Sequence, residues 1–178
     1  MPRKLREEAQ GAVHHVYARG NDRRRIFLDD VDRLGYLRIL GETIVRTGWR
    51  CLGYCLMNNH VHLLIETPEP NLAVGMRRLH GGYAQLLNAR HGRSGHVFQG
   101  RYGAVRVKDD SQLWTTVRYI AHNPLEAGLV GTADAWPWNS HAAVVGGDGP
   151  PWLDVERLLG YFGGIGGQPL ARYRAMVG

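Results

Sequence analysis

The short mixed run Ala12 to Ala18, with Val13 and Val16 flanking a His14-His15 pair, reads as the first strand and ends at the turn signal Arg19-Gly20-Asn21-Asp22. A helical period follows. Leu34, Leu37, Ile39, Leu40 and Ile44 recur at broadly helical spacing up to about Thr47, with Asp29 or Asp30 placed to cap the start and Gly48 to end it. Trp49 to Met57 and His60 to Glu66 read as two strands, and the Asn58-Asn59 link makes them hairpin partners. Pro68 and Pro70 punctuate a loop. Residues 71 to 90 are helical in pattern, with Leu72, Met76, Leu79, Tyr83, Leu86 and Leu87 on one stripe, weakened at Gly81-Gly82. A Gly- and Arg-rich link, Arg90 to Gly100, leads to a strand near Tyr102 to Val107. Asp109, Asp110 or Ser111 then caps a helix bearing Trp114, Val117, Tyr119 and Ile120, which Pro124 stops near Asn123.

The first six elements follow the order βαββαβ, which predicts an α+β fold: a ferredoxin-like core with one antiparallel sheet. The third helix is an addition that brings Tyr119 over the sheet. Beyond Gly128 the chain is rich in Gly, Pro and Trp, and only a short helix around Val155 to Phe162 stands out. With 178 residues, the chain is long enough for one domain with a sizeable core. We expect a main unit over residues 1–145 and a C-terminal extension over 146–178, packed on it or partly flexible.

The formal net charge is +6, from 22 Lys+Arg against 16 Asp+Glu, and almost all the basic side chains are arginines. Guanidinium forks pair well with phosphate, so a polyanion partner is favoured, although charge alone does not decide it. Cys51 and Cys55, four apart in a strand-like stretch, read as buried free thiols rather than a disulfide framework. No run approaches the length of a membrane span, and the charged start Met1 to Glu8 lacks the apolar stretch of a secretory signal. A cytoplasmic, nucleoid-associated protein is expected.

His60-Val61-His62 is the most informative triplet. In a strand, i and i+2 side chains leave the same face, so the two imidazoles can converge on one divalent ion or simply pack. Tyr119 and Asn123, four apart, share a helix face. Taken singly, one reads as an amphipathic core tyrosine and the other as a helix-end residue before proline. Together with the histidines they offer more: two imidazoles and an amide oxygen suit Mg²⁺ or Mn²⁺ with positions left open, and a phenol can attack a phosphate held there. His122 points elsewhere by helical spacing. Tyr83 and Tyr102 are rival tyrosines without a ligand-type residue four positions on, and are read as packing or DNA contacts. A structural protein with a buried histidine pair would keep Tyr119 away from His60 and His62.

At this point the chain resembles the single-tyrosine HUH nucleases, the Y1 transposases of the IS200/IS605 type, and most of all their REP-associated branch. The resemblance rests on His60-Val61-His62, on Gly95 to Tyr102, on Tyr119 to Val130, on Trp136-Pro137-Trp138-Asn139-Ser140 and on Arg19-Gly20-Asn21, and runs from about residue 12 to 143. It implies a catalytic domain over 1–145, with His60, His62 and Asn123 holding one divalent cation. It implies that Tyr119 attacks a single-stranded DNA phosphodiester near an imperfect hairpin, forming a 5′-phosphotyrosine link and freeing a 3′-OH. Many insertion-sequence members carry glutamine where this chain has Asn123; the REP-associated branch resembles it in having asparagine. A non-cleaving hairpin-binding regulator of the same fold is the alternative. The resemblance leaves monomer and homodimer both open.

Arg19, Arg23, Arg24, Arg25, Arg101, Arg106, Lys108 and Arg118 are the candidates for tracking the DNA backbone. Arg23–Arg25 read equally as a solvated turn. Trp136, Trp138 and Ser140 read as a patch closing on the core, with base stacking open to one of the tryptophans.

Overall fold

The computed structural model describes residues 9–163 and 167–178. Four strands form one sheet in the order β2-β3-β1-β4: β1 (Ala12–Arg19), β2 (Arg50–Leu56), β3 (His60–Thr67) and β4 (Gly103–Val107). All neighbouring strands run antiparallel. Helices α1 (Asp30–Thr47) and α2 (Leu72–Arg90) pack on each other, and α3 (Asp110–Glu126) follows β4. The result is the ferredoxin-like α+β core read from the element order, with further helices attached.

Local chemistry sets the element ends. Asp29 caps α1 by accepting from the Asp32 N–H, and Gly48 closes it in the left-handed region at φ 69°. Asp109 does the same for α3 through the Gln112 N–H. Helix α2 runs unbroken through Gly81-Gly82, because fully buried Leu79, Tyr83 and Leu87 outweigh the cost of two glycines, about 1 kcal/mol each. Gly75 is there for packing. A Cβ at this position would lie 2.1 Å from the Trp49 ring, so only glycine lets α2 approach the start of β2.

Pro124 does not stop the third helix near Asn123; α3 continues to Glu126 with the proline inside it. Proline lacks the N–H that would bond the Ile120 carbonyl, and its ring pushes that carbonyl away. Buried Asn139 supplies the substitute: its Nδ2 donates to the Ala121 carbonyl at 2.8 Å and to that of Ile120 at 3.5 Å. The helix persists because another segment satisfies the carbonyls that proline frees.

The stretch beyond Gly128 is more ordered than its composition suggests. It contains α4 (Ser140–Gly146), α5 (Val155–Gly160) and α6 (Pro169–Val177). Specific polar contacts hold it. Arg157 Nε donates to buried Glu66 at 2.8 Å, Trp114 Nε1 donates to the Tyr161 carbonyl, and His141 pairs with the Tyr173 hydroxyl. Trp136 and Trp138 pack against the core beside the end of β2, where Trp136 Nε1 donates to the Leu56 carbonyl and the Leu56 N–H to that of Trp138. Both rings also lie about the Arg33 guanidinium, which donates to Asn58 Oδ1 at 2.6 Å. The WPW segment thus braces the turn that introduces His60. Cys51 and Cys55 are buried free thiols, as expected.

Candidate active site

Strand register decides which side chains meet. Tyr17 lies opposite His62 and Arg19 opposite His60, while His15 faces Leu64. Alternation therefore puts His15, Tyr17 and Arg19 on the same sheet face as His60 and His62. Helix α3 crosses this face. Its Asn123 Oδ1 lies 3.0 Å from His60 Nε2, and the Tyr119 ring centre stands 5.3 Å from that of His62, edge-on at 87°. The two motif histidines are 5.1 Å apart, ring centre to ring centre. Tyr119 is 43% exposed, so its phenol is open to an incoming substrate. The four residues singled out by spacing thus meet within one chain, as the reading of a site predicts and a structural protein with a buried histidine pair would not.

Each motif histidine has a partner on Nδ1. Asn59 Nδ2 donates to the Arg23 carbonyl at 3.1 Å, which turns its Oδ1 toward His60 Nδ1 at 2.7 Å. With its proton on Nδ1, donated to Asn59 Oδ1, His60 has a bare Nε2 on the side of Asn123. His62 Nδ1 meets His15 Nε2 at 2.9 Å, and the two rings stack at 5.1 Å. His62 Nε2 is buried with no hydrogen-bond partner among the described residues. Burial is the largest cause holding His60, His15 and His62 below the usual imidazole range, His62 at about 3; the Arg19 charge pushes His60 and His62 the same way. All three rings are neutral near pH 7, the form that ligates a cation.

The donors suit a divalent ion. His60 Nε2 and Asn123 Oδ1 lie at hydrogen-bond distance, 3.0 Å, close to the edge between neighbouring ligands of an octahedral ion with arms of about 2.1 Å. The orphaned His62 Nε2 is a third neutral donor. A second donor group sits between the start of α1 and the end of α2. Asp29, Asp32 and His91 each offer an atom within 4.8 Å of the others, a set able to coordinate a divalent metal. There the Arg90 guanidinium already contacts both carboxylates and holds Asp29 down at about 2, chiefly through its hydrogen bond.

The basic candidates divide by position. Arg19, Arg23, Arg24, Arg25 and Arg101 are exposed where the end of β1 and the starts of β3 and β4 come together, the His60 end of the sheet. The 97–99 segment closes that end, with the Asn21 N–H on the Val97 carbonyl and the Gln99 N–H on that of Arg19. Arg106 pairs with His14 and so leaves the opposite sheet face, and Lys108 follows at the far end of β4. Arg118 is exposed on α3 beside Tyr119. Tyr83 and Tyr102 are buried, and His122 is engaged by the Val177 carbonyl.

Spacing within one segment could not reveal His15, Asn59 or Tyr17. The available signal was His15-x-Tyr17-x-Arg19 on one face of β1, which the βαββαβ topology places beside β3. The Asp29–Asp32–His91 set was also missed, being assembled across two helices.

The family model described as "Transposase IS200 like" matches residues 9–123. A Haemophilus influenzae protein named as a REP-associated tyrosine transposase is 26% identical over 110 residues, covering 56% of this chain and 62% of that protein. The alignment thus spans less than two thirds of that relative. The structure of a REP-associated tyrosine transposase bound to a REP hairpin overlays with a TM-score of 0.69 at 16% identity, covering 84% of this chain and 89% of that one. A transposase structure from Deinococcus radiodurans overlays with a TM-score of 0.48 at 17% identity, over 72% of this chain and 98% of the other.

Proposed function

Since this chain belongs to the IS200-like family of single-tyrosine transposases, REP-associated members among its relatives, we propose that it cuts and rejoins single-stranded DNA near a hairpin, using Tyr119 as nucleophile. The observation that carries this reading is the meeting of Tyr119, His60, His62 and Asn123 on one sheet face of one chain. That completeness supports Tyr119 serving the ligand set of its own chain.

His60 Nε2, His62 Nε2 and Asn123 Oδ1 would hold one Mg²⁺ or Mn²⁺. Bound there, such an ion supplies Lewis-acid polarisation of the phosphate and offsets charge developing on it. The chain's own residues do the rest. Arg19, Arg23, Arg24, Arg25 and Arg101 draw the backbone to the His60 end of the sheet. The exposed Tyr119 oxygen attacks phosphorus and gives up its proton. The P–O bond to the 3′ oxygen breaks, that oxygen leaves as a 3′-OH after taking up a proton, and the 5′ phosphate stays on the tyrosine. Attack by a 3′-OH on the phosphotyrosine reverses the step and rejoins the strand.

The test is a single-stranded hairpin library incubated with the protein and Mg²⁺ or Mn²⁺, followed by sequencing of covalently attached DNA. We expect an adduct at a defined position beside a hairpin, lost in Tyr119→Phe while binding of the captured hairpin stays within about twofold. Retention of DNA without any adduct would instead favour a non-cleaving hairpin binder.

A further inference from the structure

Tyr17 is 44% exposed although it stands on β1 with a strand on either side, opposite His62 and Gly103. Its ring centre lies 5.7 Å from His15 and 6.5 Å from His62, on the face that carries the nucleophile. The ring is laid down across β4: a Cβ on Gly103 would meet its Cζ at 2.2 Å and its Cε2 at 2.4 Å. Glycine at 103 is what lets the ring rest on strand backbone. The phenol therefore has one supported face and considerable open surface, and a ring already fixed loses little freedom when something stacks on it. Arg19 leaves the same strand face one step further on, opposite His60.

An exposed, immobilised aromatic with a guanidinium in step beside it matches what single-stranded nucleic acid offers: a flat unpaired base followed by a phosphate. We propose that Tyr17 is the stacking platform for the unpaired base next to the phosphate that Tyr119 attacks, and that this stacking sets the phosphate over His60 and His62. The assignment rests on the single-strand cleavage reading above, and it names the part of the substrate this site reads. The four-residue nucleophile and ligand set does not include it.

The test uses a single-stranded hairpin oligonucleotide that the wild-type protein captures covalently, with 2-aminopurine at the nucleotide on either side of the mapped cut. Binding is measured in a Tyr119→Phe background so that the DNA stays whole. Stacking should quench the fluorophore at one of the two positions. Tyr17→Leu should abolish that quench and weaken binding about tenfold, whereas Tyr17→Trp should keep both. An abasic nucleotide at the same position should cost the parent protein the same tenfold, and should leave parent and Tyr17→Leu equal. Unchanged quench and affinity in Tyr17→Leu would overturn the proposal, as would a loss that persists on the abasic DNA, since the ring would then act by shielding Gly103. Failure of the wild-type protein to capture any single-stranded DNA would overturn the cleavage reading together with it.

Discussion

His62 has a bare Nε2 only while its ring proton sits on Nδ1, and His15 Nε2, 2.9 Å away, is placed to accept that proton. Asn59 plays the same part for His60. Replacing His15 with Phe should lower Mn²⁺ affinity about 10- to 100-fold by calorimetry, and His15→Gln, which retains an acceptor, should recover part of it. An unchanged affinity in His15→Phe would show that the His62 tautomer is set without it. Legibility at this scale follows sequence distance. His60 with His62, and Tyr119 with Asn123, were readable because two-residue and four-residue spacings translate directly into shared faces. His15 and His62 are 47 positions apart, and only the pairing of β1 with β3 joins them.

Helix α3 carries both Tyr119, the proposed nucleophile, and Asn123, the proposed amide ligand, so its last turns matter more to that reading than those of any other element. Those turns depend on Asn139, whose side chain serves the Ile120 and Ala121 carbonyls around Pro124. Asn139→Ala leaves buried carbonyls unpaired and should cost about 1–3 kcal/mol in urea unfolding. Amide exchange should quicken first near Asn123, and a uniform change along the chain would argue against this local role. The β1–β4 core was legible because short apolar runs bounded by turn residues, such as Asn58-Asn59, and the apolar stripes of α1 and α2 mark its elements locally. The end of α3 was not, because proline's local effect is reversed by a residue 15 positions later. Helices α4 and α6 were missed for a related reason. They are short, and what fixes them is long-range, such as the His141–Tyr173 pair and the Tyr54 N–H on Ser140 Oγ.

At the scale of the whole molecule, buried histidines couple stability to pH. Burial holds His80 at about 3, and chiefly burial lowers His141. Unfolded, each titrates near 6.5, so below that value the unfolded chain binds more protons than the folded one. Their stabilising contribution is full above pH 6.5 and is lost as pH falls from there toward the folded values, at about 1.4 kcal/mol per pH unit for His80. The melting temperature should therefore drop between pH 7.5 and pH 5, and His80→Phe should flatten the drop; a flat profile for the unaltered protein would contradict this. Folding also gathers five of the eight basic candidates at one end of the sheet, a concentration that composition could not disclose. No helix among the described residues is long and apolar enough to cross a membrane. Tyr119 and Tyr17 are both open to solvent, but of the two Tyr119 rides on the helix whose Asn123 meets His60; Tyr83 and Tyr102 are sealed in the core. With Tyr119 as the single nucleophile of the proposed reaction, each copy would keep hold of one broken strand at a time, so trading partners between two DNA ends would require either a second copy or release of the first end before the next is seized.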